Sequence, residues 1–295
     1  MINSVKPNLI VSDSRGAWFR ATILFILALI GTVGMWSVVV FIPDIEKEFG
    51  LDRGTSSLLY AFTMIGFGFG TVVIGKVYDK FGIKKPILLA TFVLIISYYF
   101  YSIFPFYWQF LILQFFMGFA ASAFFGPAMA DISNFFNKQR GFALSIVASA
   151  NYVAGATWPL LIGYFLTFID WRAAHFWISI CLFIMIPLIL LLKNASVDES
   201  KSHDMKQRYK DIRLDLSNNQ IQVLLMLAGI CCCVAMAMPQ VHMVALCVDN
   251  GFGLQVGTEI LAVMLYSGMI SRIVFGMISD RIGPVLTLLL GSFLQ

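Results

Sequence analysis

One arginine of this sequence stands inside an apolar stretch where a charge is costly. Arg272 lies in the run 257–278, which is long enough to form a membrane-spanning helix. A charge near the middle of such a helix costs at least about 2.5 kcal/mol on insertion scales. In a water-filled cavity its planar guanidinium would suit a carboxylate. The alternative is a structural arginine that snorkels to the interface or pairs near Asp280.

Four further residues in the apolar runs could contact a ligand. His242 and Gln240 lie in the run 220–247, and a histidine there could bind a ligand or respond to pH. Asn151 and Trp36 lie in two earlier runs. Each of the four could equally be a satisfied packing residue or a residue at the membrane interface. With Arg272, they make five candidate binding residues: Arg272, His242, Gln240, Asn151 and Trp36.

A basic turn with an aspartate occurs twice in the chain. The shared positions are Gly75, Asp79, Lys80 and Gly82 in the first copy, and Gly276, Asp280, Arg281 and Gly283 in the second. All four recur at one offset of 201 residues, as from Gly75 to Gly276. An aspartate there can accept hydrogen bonds from a helix N-terminus and pair with Lys or Arg. The alternative is that the basic residues only anchor the turn on one side of a membrane.

A second block supports a duplication. Phe49-Gly50-Leu51 recurs as Phe252-Gly253-Leu254, in the same order relative to the basic turn. Two matched blocks that flank an apolar run indicate a repeated unit of about 200 residues.

Composition restricts the class of protein. Of the 295 residues, 59% are hydrophobic and 12% are charged, whereas soluble domains carry about 25% charged residues. The chain is therefore predicted to be a membrane protein. Its net charge of +4 lies in short loops rather than in a patch, which argues against a nucleic-acid partner. The five cysteines lie in apolar runs without metal-ligand spacing, so no metal and no cofactor is predicted.

Apolar runs of about 20 residues predict eight spanning helices and the start of a ninth. They are 18–42, 55–75, 87–105, 108–130, 141–168, 173–192, 220–247 and 257–278, with the ninth beginning near Val285. From Val285 to Gln295 the chain would reach only about 16 Å across a hydrocarbon core of about 30 Å. We therefore expect a fragment that is truncated at its C-terminus.

The placement of Lys and Arg predicts the topology. The loop 76–86 is strongly basic, and the N-terminal segment carries Lys6, Arg15 and Arg20. The N-terminus and both basic turns are therefore predicted to be cytoplasmic.

Three parts are expected along the chain. They are a six-helix bundle at 1–192, a cytoplasmic linker at 193–219, and a partial second bundle at 220–295 with helices seven, eight and the start of nine. Within them, Ser217 is predicted to cap the seventh helix, and Thr55 and Thr258 to cap the second and the eighth.

The paired Gly-x-x-x-Asp-(Lys/Arg)-x-Gly turns, one after the second helix and one after the eighth, resemble the major facilitator superfamily. The resemblance implies an all-α membrane protein with two six-helix bundles around a central cavity and alternating access. Here the first bundle would be complete and the second cut off in its third helix. Three segments look like the monocarboxylate and oxalate/formate branch: Asn134–Ala143, Asp170–Ala173 and Pro239–Gly251. In that branch an arginine that matches Arg272 is associated with the anionic substrate.

Some positions depart from related patterns. Gln114 stands where drug/proton antiporters carry an arginine, and Trp158 stands where their helix-five signature has glycine. Both departures weaken an efflux hypothesis. Pro43 and Gly268 replace a lysine and an aspartate of animal monocarboxylate carriers, so their proton relay does not transfer directly.

The resemblance implies a secondary active transporter of a small organic anion, similar to a monocarboxylate. We expect a monomer in a plasma or inner membrane, with a proton as a candidate coupling ion. The alternatives are an efflux carrier of the same fold for a hydrophobic compound and a non-transporting membrane receptor. An enzyme is not predicted, because the sequence has no phosphate-binding loop, no Ser/His/Asp arrangement and no metal-ligand cluster.

Overall fold

The computed structural model describes residues 13–192 and 217–294, and the regular elements in these ranges are helices. The α-helices are α1 (Arg15–Gly31), α2 (Val33–Phe49), α3 (Arg53–Phe81), α4 (Lys84–Ile103), α5 (Tyr107–Ala121), α6 (Gly126–Ser133), α7 (Arg140–Phe165), α8 (Trp171–Cys181), α9 (Met185–Leu191), α10 (Asn218–Asp249), α11 (Gly253–Ile282) and α12 (Pro284–Leu294). The predicted all-α class is confirmed. Most of the predicted linker, residues 193–216, lies outside the described residues, as does Lys6.

Seven helical segments of the described chain are long and apolar enough to cross a membrane. They are Arg15–Phe49, Arg53–Phe81, Lys84–Ile103, Tyr107–Ser133, Arg140–Phe165, Trp171–Leu191 and Gly253–Ile282. The 32 residues of α10 occupy the seventh predicted span, and α12 begins the ninth. Each predicted span therefore coincides with one helix or with consecutive helices.

The first span is interrupted at Thr32, between α1 and α2. The Thr32 hydroxyl donates to the Ala28 carbonyl at 2.7 Å. The indole Nε1 of Trp158, on α7, donates to the Leu29 carbonyl at 2.9 Å. Backbone groups freed inside a membrane need such partners, so Trp158 stabilises the interruption. The tryptophan that departs from the antiporter pattern thus has a structural role here.

The helices extend further than the hydropathy pattern predicts, and the predicted loop 76–86 is wrong. Only Gly82 and Ile83 separate α3 from α4, and only Gly283 separates α11 from α12. Apolar runs mark the part of a helix that lies in hydrocarbon, whereas the helix continues through polar residues such as Asp79 and Asp280.

Two of the three predicted helix caps are wrong. Ser217 does cap α10, because it accepts from the Gln220 backbone N–H at 3.3 Å while the Gln220 side chain accepts from the Ser217 N–H at 2.8 Å. At α3 the cap is Asp52, which accepts from the Thr55 N–H at 3.1 Å. Thr258 lies inside α11, where its hydroxyl donates to the Gln255 carbonyl. At α3 the aspartate three residues before Thr55 competes better for the free N–H groups. At α11 the helix begins at Gly253, so Thr258 lies beyond the first turn.

Small residues bring the backbones of α3 and α5 into contact. A Cβ atom on Gly118 would lie 1.9 Å from the Thr63 carbonyl oxygen, and one on Gly66 would lie 2.0 Å from the Phe115 carbonyl oxygen. Any larger residue would force these helices apart, as is typical of small-residue contacts between membrane helices.

Candidate functional site

Helices α7 and α11 run antiparallel and touch along most of their lengths. At one end the Gly141 N–H donates to Asp280 at 2.7 Å. Near the middle, the Nη1 of Arg272 donates to the Ala148 carbonyl at 3.0 Å. Further along, the hydroxyls of Thr157 and Tyr266 lie 3.1 Å apart. Asn151 on α7 and Arg272 on α11 are two of the five candidate binding residues, so this contact positions both of them.

Trp36 and Asn151, two of the predicted binding residues, bind each other. The indole Nε1 of Trp36 donates to the Oδ1 of Asn151 at 3.0 Å. The Trp36 ring lies so close to Gly155 that a Cβ atom there would be 2.6 Å from it. Trp36 is only 3% exposed. A glycine on α7 thus admits the indole, and the indole fixes the orientation of the Asn151 amide.

Arg272, on α11, packs against the same helix α7, where it contacts a carbonyl and an aromatic ring. Its guanidinium carbon is 4.2 Å from the centre of the Tyr152 ring, which is a cation–π distance. The Tyr152 hydroxyl is 3.2 Å from the sulfur of Met236, on α10. Arg272 is half-buried. The guanidinium therefore contacts α7 through Ala148 and Tyr152. The Tyr152 hydroxyl in turn contacts α10 through Met236.

The contacts of Trp36 and Arg272 fall on one stripe of α7. Residues 148, 151, 152 and 155 follow the i, i+3, i+4, i+7 spacing of one helix face. The structure thus brings Trp36, Asn151 and Arg272 to a single face. Gln240 is buried on α10, one turn beyond Met236, whereas His242 is exposed. Both residues lie on the helix whose Met236 contacts Tyr152.

Asp280 binds the first turn of α7. Its carboxylate accepts from the backbone N–H groups of Gly141 at 2.7 Å and Phe142 at 2.8 Å. These N–H groups have no partner within their own helix, and the helix dipole favours a negative charge there. A Cβ atom on Gly276 would lie 2.5 Å from the Cβ of Ser145. The second copy of the basic turn is therefore packed against α7.

The first copy has different surroundings. Asp79 is exposed, and in the described part of the chain no hydrogen bond or ion pair reaches its side chain. The space next to Gly75 is open, with no atom within 4 Å of an added Cβ. Lys80 lies 5.3 Å from the centre of the Phe81 ring. Arg281, the matching residue in the second copy, is exposed.

A buried ion pair was missed by the sequence analysis. Arg20 binds Asp131 through two contacts, Nε to Oδ2 at 2.5 Å and Nη2 to Oδ1 at 2.9 Å. The two side chains are 5% and 8% exposed, and Phe135 lies over the guanidinium at 4.8 Å. The sequence predicts only a topological role for Arg20, yet this residue joins α1 to α6. The available signal was an aspartate at the edge of an apolar run.

Further ion pairs lie at the opposite end of the molecule. Arg53 binds Asp249 at 2.7 Å, and Arg172 binds Glu48 at 2.6 Å. The indole of Trp171 also donates to Glu48, at 2.9 Å. Among the described residues, no group of His, Cys, Asp and Glu side chains is arranged to hold a metal ion.

Known proteins similar to this chain include fungal transporters. MFS-type transporter pynF of Aspergillus niger is 27% identical over 221 residues, which cover 72% of this chain and 49% of pynF. The agnestins efflux protein AgnL12 of Paecilomyces divaricatus is 24% identical over 252 residues, which cover 83% of this chain and 56% of AgnL12. The chain spans about half the length of these curated relatives.

A solved structure has a related fold. The inward-open xylose transporter XylE from E. coli superposes with a TM-score of 0.54 and 13% identity, covering 90% of this chain and 66% of XylE. At this identity the likeness concerns the fold alone.

The family itself follows from a match along most of the sequence. The sequence model of the Major Facilitator Superfamily matches residues 24–295. The apolar spanning helices fit a partial bundle of that fold. Membership of a family of transporters agrees with the prediction that the chain is not an enzyme. The chain is thus an integral, multi-pass membrane protein that belongs to the major facilitator superfamily.

Proposed function

We propose that the protein is a secondary active carrier that moves a small organic anion across the membrane by alternating access. The observation that carries this proposal is Arg272, a half-buried guanidinium on a membrane-spanning helix, held between the Ala148 carbonyl and the Tyr152 ring. A charge kept at that depth is costly and is usually retained for function. Its planar donors suit the carboxylate of a monocarboxylate-like substrate.

The neighbouring side chains support a binding site rather than simple packing. Asn151 lies on the same face of α7 as the residues that contact Arg272, and Trp36 of α2 packs against that face. The buried indole fixes the Asn151 amide, and that amide offers a second polar group for orienting a substrate. Gln240 and His242, on α10, remain candidates for the opposite wall of the site.

Alternating access needs contacts that close one end at a time. We infer that Asp280, bound to the first turn of α7, is part of a latch on the cytoplasmic side, together with the rest of both basic turns. This assignment places the N-terminus in the cytoplasm, as the distribution of Lys and Arg predicts. Asp79 would engage a partner in a different state of the carrier.

Efflux of a hydrophobic compound is the second candidate. It is favoured by two relatives, an agnestins efflux protein and a fujikurins efflux protein. The two candidates differ in the role of Arg272. An anion carrier depends on its charge, whereas a carrier of a neutral hydrophobic compound does not.

The test compares Arg272→Gln with Arg15→Gln in proteoliposomes that contain the full-length protein. Arg15 is an exposed arginine on α1, so the control removes the same charge elsewhere. Loss of a charge-assisted hydrogen bond of about 1.5–3 kcal/mol predicts at least about tenfold lower uptake of short radiolabelled carboxylates in Arg272→Gln only.

Equal uptake by Arg272→Gln and wild type would contradict an anion carrier and favour efflux. If well-folded wild-type protein transports neither carboxylates nor hydrophobic compounds, the result would favour a non-transporting membrane receptor.

A further inference from the structure

The ion pair between Arg53 and Asp249 lies at the end of the molecule opposite Asp280. Arg53 is the first residue of α3, and Asp249 is the last residue of α10. The Nη2 of Arg53 lies 2.7 Å and 2.9 Å from the two carboxylate oxygens of Asp249. The intervening helix α11 has 30 residues, or about 45 Å. The Arg53 and Asp280 contacts therefore hold opposite ends of the bundle.

Arg53 also contacts a second carboxylate, which lies within the helix pair α2 and α3 that carries Arg53 itself. Its Nε lies 3.3 Å from Glu46, on α2. Glu46 also accepts from the hydroxyl of Ser56, on α3, so it is fixed to the α2–α3 pair that carries Arg53. Of the two carboxylates, Glu46 would move together with Arg53, whereas Asp249 belongs to α10.

The guanidinium is not fully satisfied in this arrangement. Within the described structure, the Nη1 of Arg53 is buried and has no hydrogen-bond acceptor. An unmade hydrogen bond disfavours the state that contains it. The side chains of Arg53 and Asp249 are 34% and 56% exposed, and ion pairs this accessible to water contribute little. The pair is therefore weak enough to open and close reversibly.

We propose that Glu46, Arg53 and Asp249 form a switchable gate at the end opposite the Asp280 latch. In the closed state Arg53 bridges both carboxylates, and in the open state it releases Asp249 and keeps Glu46. Because Glu46 stays bound when Asp249 is released, the Arg53 guanidinium keeps one carboxylate partner in the open state. The open state therefore remains accessible. The proposal rests on the proposed carrier function, since only alternating access requires this end to open.

The structure offers a reporter of closure at the same end. A Cβ atom on Gly163, in the last turn of α7, would lie 3.4 Å from the side chain of Thr258, near the start of α11. Such proximity suits a disulfide. The rate of oxidative crosslinking in Gly163→Cys/Thr258→Cys measures how often this end is closed. The specific linked peptide is quantified by mass spectrometry, because native cysteines remain.

Four variants on this background test the gate. Arg53→Gln should slow crosslinking by about two- to fivefold, the range expected for one accessible ion pair. The double variant Arg53→Gln/Asp249→Asn should crosslink at the same rate as Arg53→Gln, because both substitutions remove the same ion pair. Glu46→Gln should accelerate crosslinking, since Arg53 then depends on Asp249. The matched control is Lys47→Gln, which removes an exposed charge at the same end and should leave the rate unchanged.

Equal rates in Arg53→Gln and Lys47→Gln would overturn the gate, and so would a slower rate in Glu46→Gln. Crosslinking is measured without substrate, so the two proposals fail separately. A protein that moves no carboxylate but shows these rates contradicts only the proposed function. A transporting protein with unchanged rates contradicts only the gate.

Discussion

The two copies of the basic turn share a backbone conformation. Gly82 and Gly283 follow α3 and α11 with φ angles of +73° and +89°. Each donates its N–H to the carbonyl four residues earlier, Tyr78 in one copy and Ser279 in the other. Positive φ is a conformation that glycine adopts without strain. Repeated local sequence has therefore produced repeated local structure.

The same two copies differ in what they touch. Asp280 binds the first turn of α7, and Gly276 packs against Ser145. Asp79 is exposed, and the space beside Gly75 is open. Local sequence thus sets the end of the helix, whereas the neighbouring helix decides whether the motif has a partner.

The largest difference between the copies is expected for the first glycine of the motif. Gly276→Ala would place a Cβ 2.5 Å from that of Ser145, and overpacking of this kind costs about 1–3 kcal/mol. Gly75→Ala meets open space inside a helix and should stabilise the protein by about 0.5–1 kcal/mol. Thermal unfolding in detergent should therefore shift in opposite directions. A shift of the same sign in both variants would contradict the contrast between the two sites.

A smaller difference is expected for the aspartates. Asp280→Asn weakens the interaction with the N-terminus of α7 and should lower stability by about 0.3–1 kcal/mol, the usual contribution of a charge at a helix end. Asp79→Asn should leave the unfolding temperature near that of wild type. In proteoliposomes both variants should insert normally and transport more slowly if the latch is correct. Transport at the wild-type rate by both variants would contradict the proposed latch.

The smallest difference is expected for the last glycine. Gly82→Ala and Gly283→Ala each force a side chain into a backbone region that strongly favours glycine, at a cost of about 1–3 kcal/mol. Because the two turns have the same conformation, both unfolding temperatures should fall by similar amounts. Unequal losses would show that the turns are not structurally equivalent, and a matched Ala substitution at Gly75 serves as the control.

Much of the fold follows from the sequence alone. Apolar runs of sufficient length must become helices in a membrane, because only a helix satisfies its own backbone there. Gly82 and Gly283 end α3 and α11 through their positive φ, although the predicted spans stop earlier, at 75 and 278. The hydropathy pattern missed the helix ends and the interruption at Thr32. The helix ends lie outside hydrocarbon, and the interruption depends on the distant indole of Trp158.

The side-chain partners were decided by tertiary structure. The sequence indicates only a topological role for Arg20, whereas the fold places Asp131 of α6 beside it. Arg53 likewise contacts two carboxylates that belong to different helices. A polar residue within an apolar run must find a partner, because an unpaired polar group in hydrocarbon is costly. Which partner it finds depends on the rotation and register of helices far apart in the chain. Those quantities are set by the packing of whole helices.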